Sequence, residues 1–464
     1  MPNRIPEETE LAHGPVRFPI LAAFRYREYR LYWLGGAFSN IGVGALVFGR
    51  LWLMHSLTES ALYLGLVTTS SLGPILLFSV WGGVLADRVN RLRLVIATRA
   101  LFAVLALLTG ALISTDVIRP WQVIALSLLT GILLSFDIPS RQAMLPRLVP
   151  RERLVNAIAL YSLLFSGSAI VGPGFFAPLV NLWGLDGLFY LIGGSYILTV
   201  GMMSMMKPSP HQRSNSEHRM WQSLREGFRY IQKSRLILSL IGIATIGGIF
   251  GMSFETLLPI FAERLLKGGV DTYSIMLLGL GVGGLCGTVT LAWLGNLKNS
   301  PRFLLLSGTG FGLALALFAQ MTWFPAAMVT LGLAGGFSVV FMTVNNTMVQ
   351  SLVAEDFRGR VMSVHQLSWG ATALGGMLIG FLAQLWGAPF ALTLGGLITA
   401  LFAGGLALAK LGELASATQA TALELSAETH PGQASSGPGG MRVGAQFQRC
   451  SLSRAGQFPQ FGQR

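Results

Sequence analysis

A few ionisable side chains stand inside long apolar runs, where they could bind and release protons or charged solutes. Glu255 lies in "GMSFETLLPIF", four residues before Pro259. Placing an ionised group in hydrocarbon costs about 2.5–3.5 kcal/mol on insertion scales, so such groups face a protein interior or a wet cavity and mark ion and substrate routes. A desolvated carboxyl disfavours its charged form and can exchange a proton as access alternates, or it can hold a cationic group. The plainer readings are a structural ion pair or a site wetted from outside. Arg50, in "FGRLW", could pair with Glu255, meet an anionic solute or snorkel to the near interface. Arg99 is expected to snorkel to the opposite interface. Asn40 could line a cavity or bond between helices, and His55 reads as interfacial.

A second group of charges sits between two apolar runs, in "WGGVLADRVNRLRLV" (81–95). Asp87 ends the first run, where a helix dipole is negative and a carboxylate needs an outside partner. Gly82 and Gly83 leave room for a neighbouring helix. Asn90 suits a left-handed turn, and Arg88, Arg91 and Arg93 can form charge-assisted bonds with carboxylates. A basic turn alone would explain the arginines but neither Asp87 nor the paired glycines. Enzyme motifs are missing: there is no GxxxxGK[ST] loop, no HExxH and no paired CxxC. "GLGVGG" (279–284) lies inside an apolar run and reads as helix packing. No cofactor and no metal site is expected.

The elements that must hold these groups are helices across a bilayer. Of 464 residues, 52% are hydrophobic and 11% charged, against about 25% charged in soluble domains. Runs such as "LGLVTTSSLGPILLFSVWGGVLA" do not alternate as barrel strands do. Each is long enough for a spanning helix, which needs roughly 20 apolar residues. Twelve spans are expected, at about 31–54, 62–86, 93–114, 121–137, 157–182, 187–206, 236–261, 273–294, 303–320, 324–346, 364–385 and 388–411. The net charge of +13 is carried largely in short loops, as topology signals are, so nucleic acid is not an expected partner. With the amino terminus inside, 23 basic residues fall on the cytoplasmic side against Arg119, Arg264 and Lys267 outside. Both termini are therefore expected in the cytoplasm of a multi-pass cell-membrane protein. "MPNRIPEETELAHGPVRFPI" has no continuous apolar core of a cleavable signal, and Cys286 and Cys450 imply no disulfide framework.

The expected organisation is a cytoplasmic segment (1–30), a six-helix bundle (31–206), a linker (207–235), a second six-helix bundle (236–411) and a disordered tail (412–464). In the linker, Trp221, Leu224, Phe228 and Ile231 recur at helical spacing among basic residues. That suggests an amphipathic helix, either on the inner leaflet or solvated in the loop. The halves repeat faintly. Laying 131–154 over 335–358 sets Gly131 on Gly335, Met144 on Met348, Val149 on Val353 and Glu152 on Asp356. "LVNLWG" (179–184) falls on "LAQLWG" (382–387) in nearly the same register. Weak internal repeats are a mark of transporters.

Gly83-x-x-x-Asp87-Arg88-x-Asn90-Arg91-x-Arg93 resembles the loop 2–3 signature of the major facilitator superfamily, with Asn90 where a second glycine is usual. The resemblance implies two pseudo-symmetric six-helix bundles of an all-α membrane protein. It also implies that Asp87 caps the span near Ser363–Gln366 and that Arg88 or Arg91 pairs with Asp137, locking the cytoplasmic ends. Asp356, Arg358 and Arg360 would form the counterpart in the second half. "FDIPSRQAMLPRLVPRERLVNA" (136–157) and "EDFRGRVMS" (355–363) are similar to the bacterial branch of enterobactin and macrolide exporters. "GSAIVGPGFFAP" (167–178) resembles the antiporter signature at its Gly172-Pro173 centre, though Phe176 replaces a usual glycine; close packing around a tolerated kink is the alternative. The implied function is export of small amphipathic molecules (a drug, a siderophore or a similar metabolite) against protons. A facilitator or importer, or a transport-dead sensor or scaffold, are the other readings.

Overall fold

The computed structural model of the protein describes residues 19–207, 217–294 and 300–405, with Ala409. The tail expected from Gly412 onward and the Pro/Ser-rich start of the linker lie outside the described residues. Every regular element among the described residues is helical. A short turn, Pro19–Arg25, leads into α1 (Arg27–Thr58), α2 (Ala61–Arg88), α3 (Arg91–Ser114) and α4 (Pro120–Met144). Helix then runs through Leu154–Ser204 with a break at Gly184. The parts before and after it are α5 (154–183) and α6 (185–204). α5 and α6 run in opposite directions along α1: Tyr29 bonds Ala157 and Trp33 bonds Leu160 in α5, while Gly35, Gly42 and Gly49 pack on Thr199, Tyr196 and Phe189 in α6. A connecting helix, α7 (Glu217–Lys233), precedes α8 (Arg235–Leu265), α9 (Val270–Leu294), α10 (Ser300–Phe318), α11 (Phe324–Leu352), α12 (Glu355–Trp386) and α13 (Ala388–Gly405). Eleven stretches are long and apolar enough to cross a bilayer, and the reversal at Gly184 makes one of them two crossings, giving twelve.

The faint repeat has a backbone meaning. Gly184 (φ 74°, ψ 174°) and Gly387 (φ 88°, ψ 153°) end α5 and α12 with the same turn, each following an exposed tryptophan. This region is close to glycine-only. Gly184→Ala and Gly387→Ala should therefore each cost about 1–3 kcal/mol, read as a lower midpoint in detergent unfolding. Gly131 and Gly335 also do the same job. A Cβ at Gly131 would lie 2.6 Å from the Ser71 carbonyl oxygen of α2, and one at Gly335 would lie 2.3 Å from the Leu280 oxygen of α9. Each glycine lets a helix cross its neighbour almost backbone to backbone.

Three expectations change. Asn90 is not in a left-handed turn; with φ −65° and ψ 113° it caps α3, its side chain accepting from the Arg93 N–H at 3.3 Å. Capping satisfies a helix-start donor that a turn would leave open. α4 does not stop near 137 but continues through Pro139 to Met144. α7 docks on protein: Glu226 pairs with Arg360 at 2.7 Å, Tyr230 stacks on Phe357 with centroids 4.7 Å apart, and Ile231 is buried. Phe228, on another face, stays exposed.

Candidate functional site

The two halves meet along a seam of small residues at the end of the molecule that carries the α1–α2 turn. A Cβ on Gly65 of α2 would lie 2.5 Å from the Gly376 oxygen of α12, and one on Gly380 would lie 2.6 Å from the Ala61 oxygen. Hydroxyls bridge the same seam: Thr69 donates to the Ala373 oxygen at 2.7 Å, and Thr68 and Thr256 share a hydrogen bond of 2.9 Å. Nearer the rim, Arg264 pairs with Glu59 at 2.7 Å and Ser60 donates to Gln384 at 2.9 Å. On a second side, Asn181 of α5 donates to Asp271 of α9 at 2.8 Å. At the opposite end, no hydrogen bond or ion pair between described residues joins the halves. Described bonds there include those between Tyr29 and Ala157 and between Arg91 and Ala143, each within a half.

Gly172-Pro173 lies on this junction. Proline cannot donate, and one turn further on Ala177 gives its N–H to the Ser274 hydroxyl of α9 at 3.3 Å. That hydroxyl donates in turn to the Pro173 carbonyl oxygen. A serine from the second half thus bridges the Ala177 N–H and the Pro173 carbonyl of α5, four residues apart on the helix.

Inside the first half runs a column of buried polar groups. Asp137, fully buried on α4, accepts from Thr98 at 3.0 Å, Arg99 at 2.8 Å and Arg141 at 2.7 Å. Arg141 also donates to Tyr161 at 2.7 Å and to Asn40 at 3.3 Å. Further toward the seam, Arg50 of α1 donates to the Leu126 oxygen at 3.1 Å and to Thr130 on α4. Low dielectric strengthens each of these contacts and penalises any group left out.

The same repeat carries a second polar pair. The offset that lays Gly131 on Gly335 also lays Arg141 on Asn345 and Tyr161 on His365. Arg141 bonds Tyr161, and Asn345 bonds His365 at 3.0 Å while donating to the Leu240 oxygen at 3.0 Å. Asn345 and His365, with Ala244, Phe341 and Ser368, line a small cavity in the second half. The internal repeat at the same offset is the one sequence signal that points to this pair.

The expected pairings were different. Seven residues of helix follow Asp137, and its described bonds go to Thr98, Arg99 and Arg141 within the first half. Arg91 donates to the Ala143 oxygen at 3.1 Å. Arg99 does not snorkel; it is fully buried against Asp137 and the faces of Phe102 and Tyr196. Arg50 turns to α4 rather than to Glu255. Asn40 contributes to the column, with its Nδ2 buried and unpartnered. His55 is buried, with its Nε2 against the half-exposed Glu263 near the rim pair Arg264–Glu59. Glu255 is half-buried in a tightened turn of α8 (Met252–Leu257), and no described residue bonds it. It lies near Tyr273, which donates across the halves to the Phe48 oxygen at 3.4 Å. Arg358 is exposed and Arg360 pairs with α7. The side chains of Gly83, Asp87, Arg88 and Asp356 lie outside the described residues.

Twelve crossings in two bundles, joined across a seam at the α1–α2 end and holding buried ionic groups, mark a multi-pass transporter of the major facilitator superfamily, not an enzyme. The chain belongs to the transmembrane secretion effector family (MFS_3), whose model matches residues 19–435. It is 26% identical over 364 residues to the staphyloferrin A transporter of Staphylococcus aureus, covering 77% of this chain and 88% of that one. It is 28% identical over 365 residues to the enterobactin exporter EntS of Shigella boydii, covering 76% and 83%. Among solved structures, a variant of the nucleoside transporter NupG matches with a TM-score of 0.66 at 14% identity over 85% of this chain and 99% of that one. A bacterial homolog of the human lysosomal transporter Spinster, inward-facing and occupied, matches with a TM-score of 0.62 at 14% identity over 86% and 94%. These two likenesses speak for the fold.

Proposed function

We propose that the chain exports small amphipathic molecules of the drug or siderophore class in exchange for protons, by alternating access between its two six-helix halves. The observation that carries this reading is the seam that closes the α1–α2 end. With both termini cytoplasmic, as the loop charges favour, that closed end faces outward, and substrate would load from the inner end. The siderophore class is supported by the relatives, named for staphyloferrin A and enterobactin. In the alternate state the cytoplasmic ends would close through Gly83, Asp87, Arg88 and Arg91 on one half and Asp356, Arg358 and Arg360 on the other. In this reading Asp137, held by Thr98, Arg99 and Arg141, serves as a structural member of the first half. Gly172-Pro173, bridged by Ser274, is the point about which α5 and α9 would shift.

Glu255 is the proton or cationic-group site in this reading. It is acidic, half-buried and unbonded among the described residues, and it stands beside the interface that must open. A gradient drives export only if proton and substrate favour different states. In inverted vesicles with an acid interior, uptake of labelled enterobactin or staphyloferrin A should exceed uptake at equal pH. Glu255→Gln should reduce it to the level seen without a gradient. Uptake in the wild type that ignores the gradient removes the antiport claim.

A further inference from the structure

The bonds of Arg50 leave half of its guanidinium unused. Nη1 donates to Leu126 and Thr130 on α4, whereas Nε and Nη2 are buried and have no partner. These two atoms share one edge of the planar group, the edge that grips a carboxylate through two parallel hydrogen bonds. Arg50 is only 1% exposed. Two further groups nearby are buried and unpartnered: the Ser127 hydroxyl, one turn from Thr130 on α4, and the Tyr196 hydroxyl, which lies within Coulomb range of both Arg50 and Arg99. Asp137 is the one fully buried carboxylate among the described residues, and its bonds go to Thr98, Arg99 and Arg141. No described carboxylate pairs with Arg50, and a buried charge without an opposite carries a penalty of several kcal/mol.

We infer that the free Nε/Nη2 edge of Arg50 binds an oxyanion, namely a carboxylate-type acidic group of the transported solute. The inference rests on the transport reading and narrows its substrate class to anions. A two-oxygen acid matches a planar pair of donors, whereas a spherical halide takes them as a point charge. The Ser127 and Tyr196 hydroxyls can donate to the same group or to a water beside it. Neither guanidinium atom is reachable in the state described, so the groups packed over that edge must move aside for loading.

The test uses the full chain in lipid nanodiscs with no gradient, so a failure of the antiport reading leaves its result standing, and the reverse also holds. Its unfolding temperature is titrated with sodium benzoate, neutral benzamide and sodium chloride. Benzoate should stabilise the protein saturably, and benzamide and chloride at the same concentrations should not. Arg50→Lys keeps the charge but loses the paired donors, and should weaken benzoate by at least about tenfold. Stabilisation by benzamide equal to that by benzoate overturns the site, and so does an effect reproduced by chloride alone. Benzoate binding that survives Arg50→Lys unchanged does the same. If the variant fails to fold, the comparison of three probes on the wild type decides alone.

Discussion

Asp137→Leu should destabilise the protein by about 3–5 kcal/mol, and Arg99→Leu should cost clearly less, about 1–2 kcal/mol. The difference follows from what each change leaves behind. Asp137 is the shared acceptor of two guanidiniums and a hydroxyl, at 2.7–3.0 Å, with no exposed surface of its own. Removing it strands Arg99, fully buried with Asp137 as its only ionic partner among the described residues, and takes from Arg141 its charge partner as well. Removing Arg99 leaves Asp137 with Arg141 and Thr98, so the carboxylate stays answered. It also disposes of two buried donors, Nε and Nη1, that have no partner. Arg141 retains some exposure, at 13%, which softens its part of the loss. Unfolding in mixed micelles on raising the denaturing detergent should therefore order the proteins as wild type, Arg99→Leu, then Asp137→Leu. If the two variants unfold at the same point, the carboxylate is not the hub of this interior.

The same residues mark where sequence reading stopped. The spans themselves were legible, because a stretch that must satisfy lipid for 20 residues cannot hide its composition, and the loops between them collect the arginines. The Trp-Gly turns at Gly184 and Gly387 and the paired glycines Gly131 and Gly335 were visible as a repeat, since close crossings and positive φ leave glycine little competition. The inner end of α4 is hard to read because Asp137 and Arg141 break the apolar run while the helix continues past them. They are one helical turn apart and bond each other at 2.7 Å, so the helix carries them inward as a pair. The partner of Asp137 that matters most, Arg99, lies 38 residues earlier on another helix. No local spacing encodes that contact. The Asn345–His365 bond fell into the same gap. Its N-half counterpart was not recognised as a pair, because arginine with tyrosine and asparagine with histidine share a position in the fold but no chemistry in the alphabet.

Gly65→Val should hold the α1–α2 end open and stop turnover while leaving each bundle folded. A Cβ at Gly65 alone would stand 2.5 Å from the Gly376 oxygen and 3.2 Å from the Gly380 Cα. Both contacts are with backbone, which cannot step aside as a side chain can, and valine adds two more carbons to the clash. The strain has a route of relief that a core substitution lacks. α2 and α12 belong to different halves, so the halves can separate at this end rather than unfold. An overpacked contact costs about 1–3 kcal/mol, which moves a two-state balance by about 5- to 150-fold. That is enough to depopulate the closed form if the two forms start near parity. The readout is a cysteine at Thr256, which is 1% exposed and bonded to Thr68 across the seam, in a chain with Cys286 and Cys450 replaced by serine. In Gly65→Val a membrane-impermeant maleimide added from outside should label it several-fold faster than in the Gly65 background, with transport lost in parallel. Gly73→Val, also on α2, is the control: a Cβ there would have only the Ala373 Cβ at 4.0 Å to meet. Its labelling and transport should stay near the wild-type level. Equal labelling with and without Gly65→Val, or transport that survives it, would mean that the glycine seam packs the two halves but does not gate them.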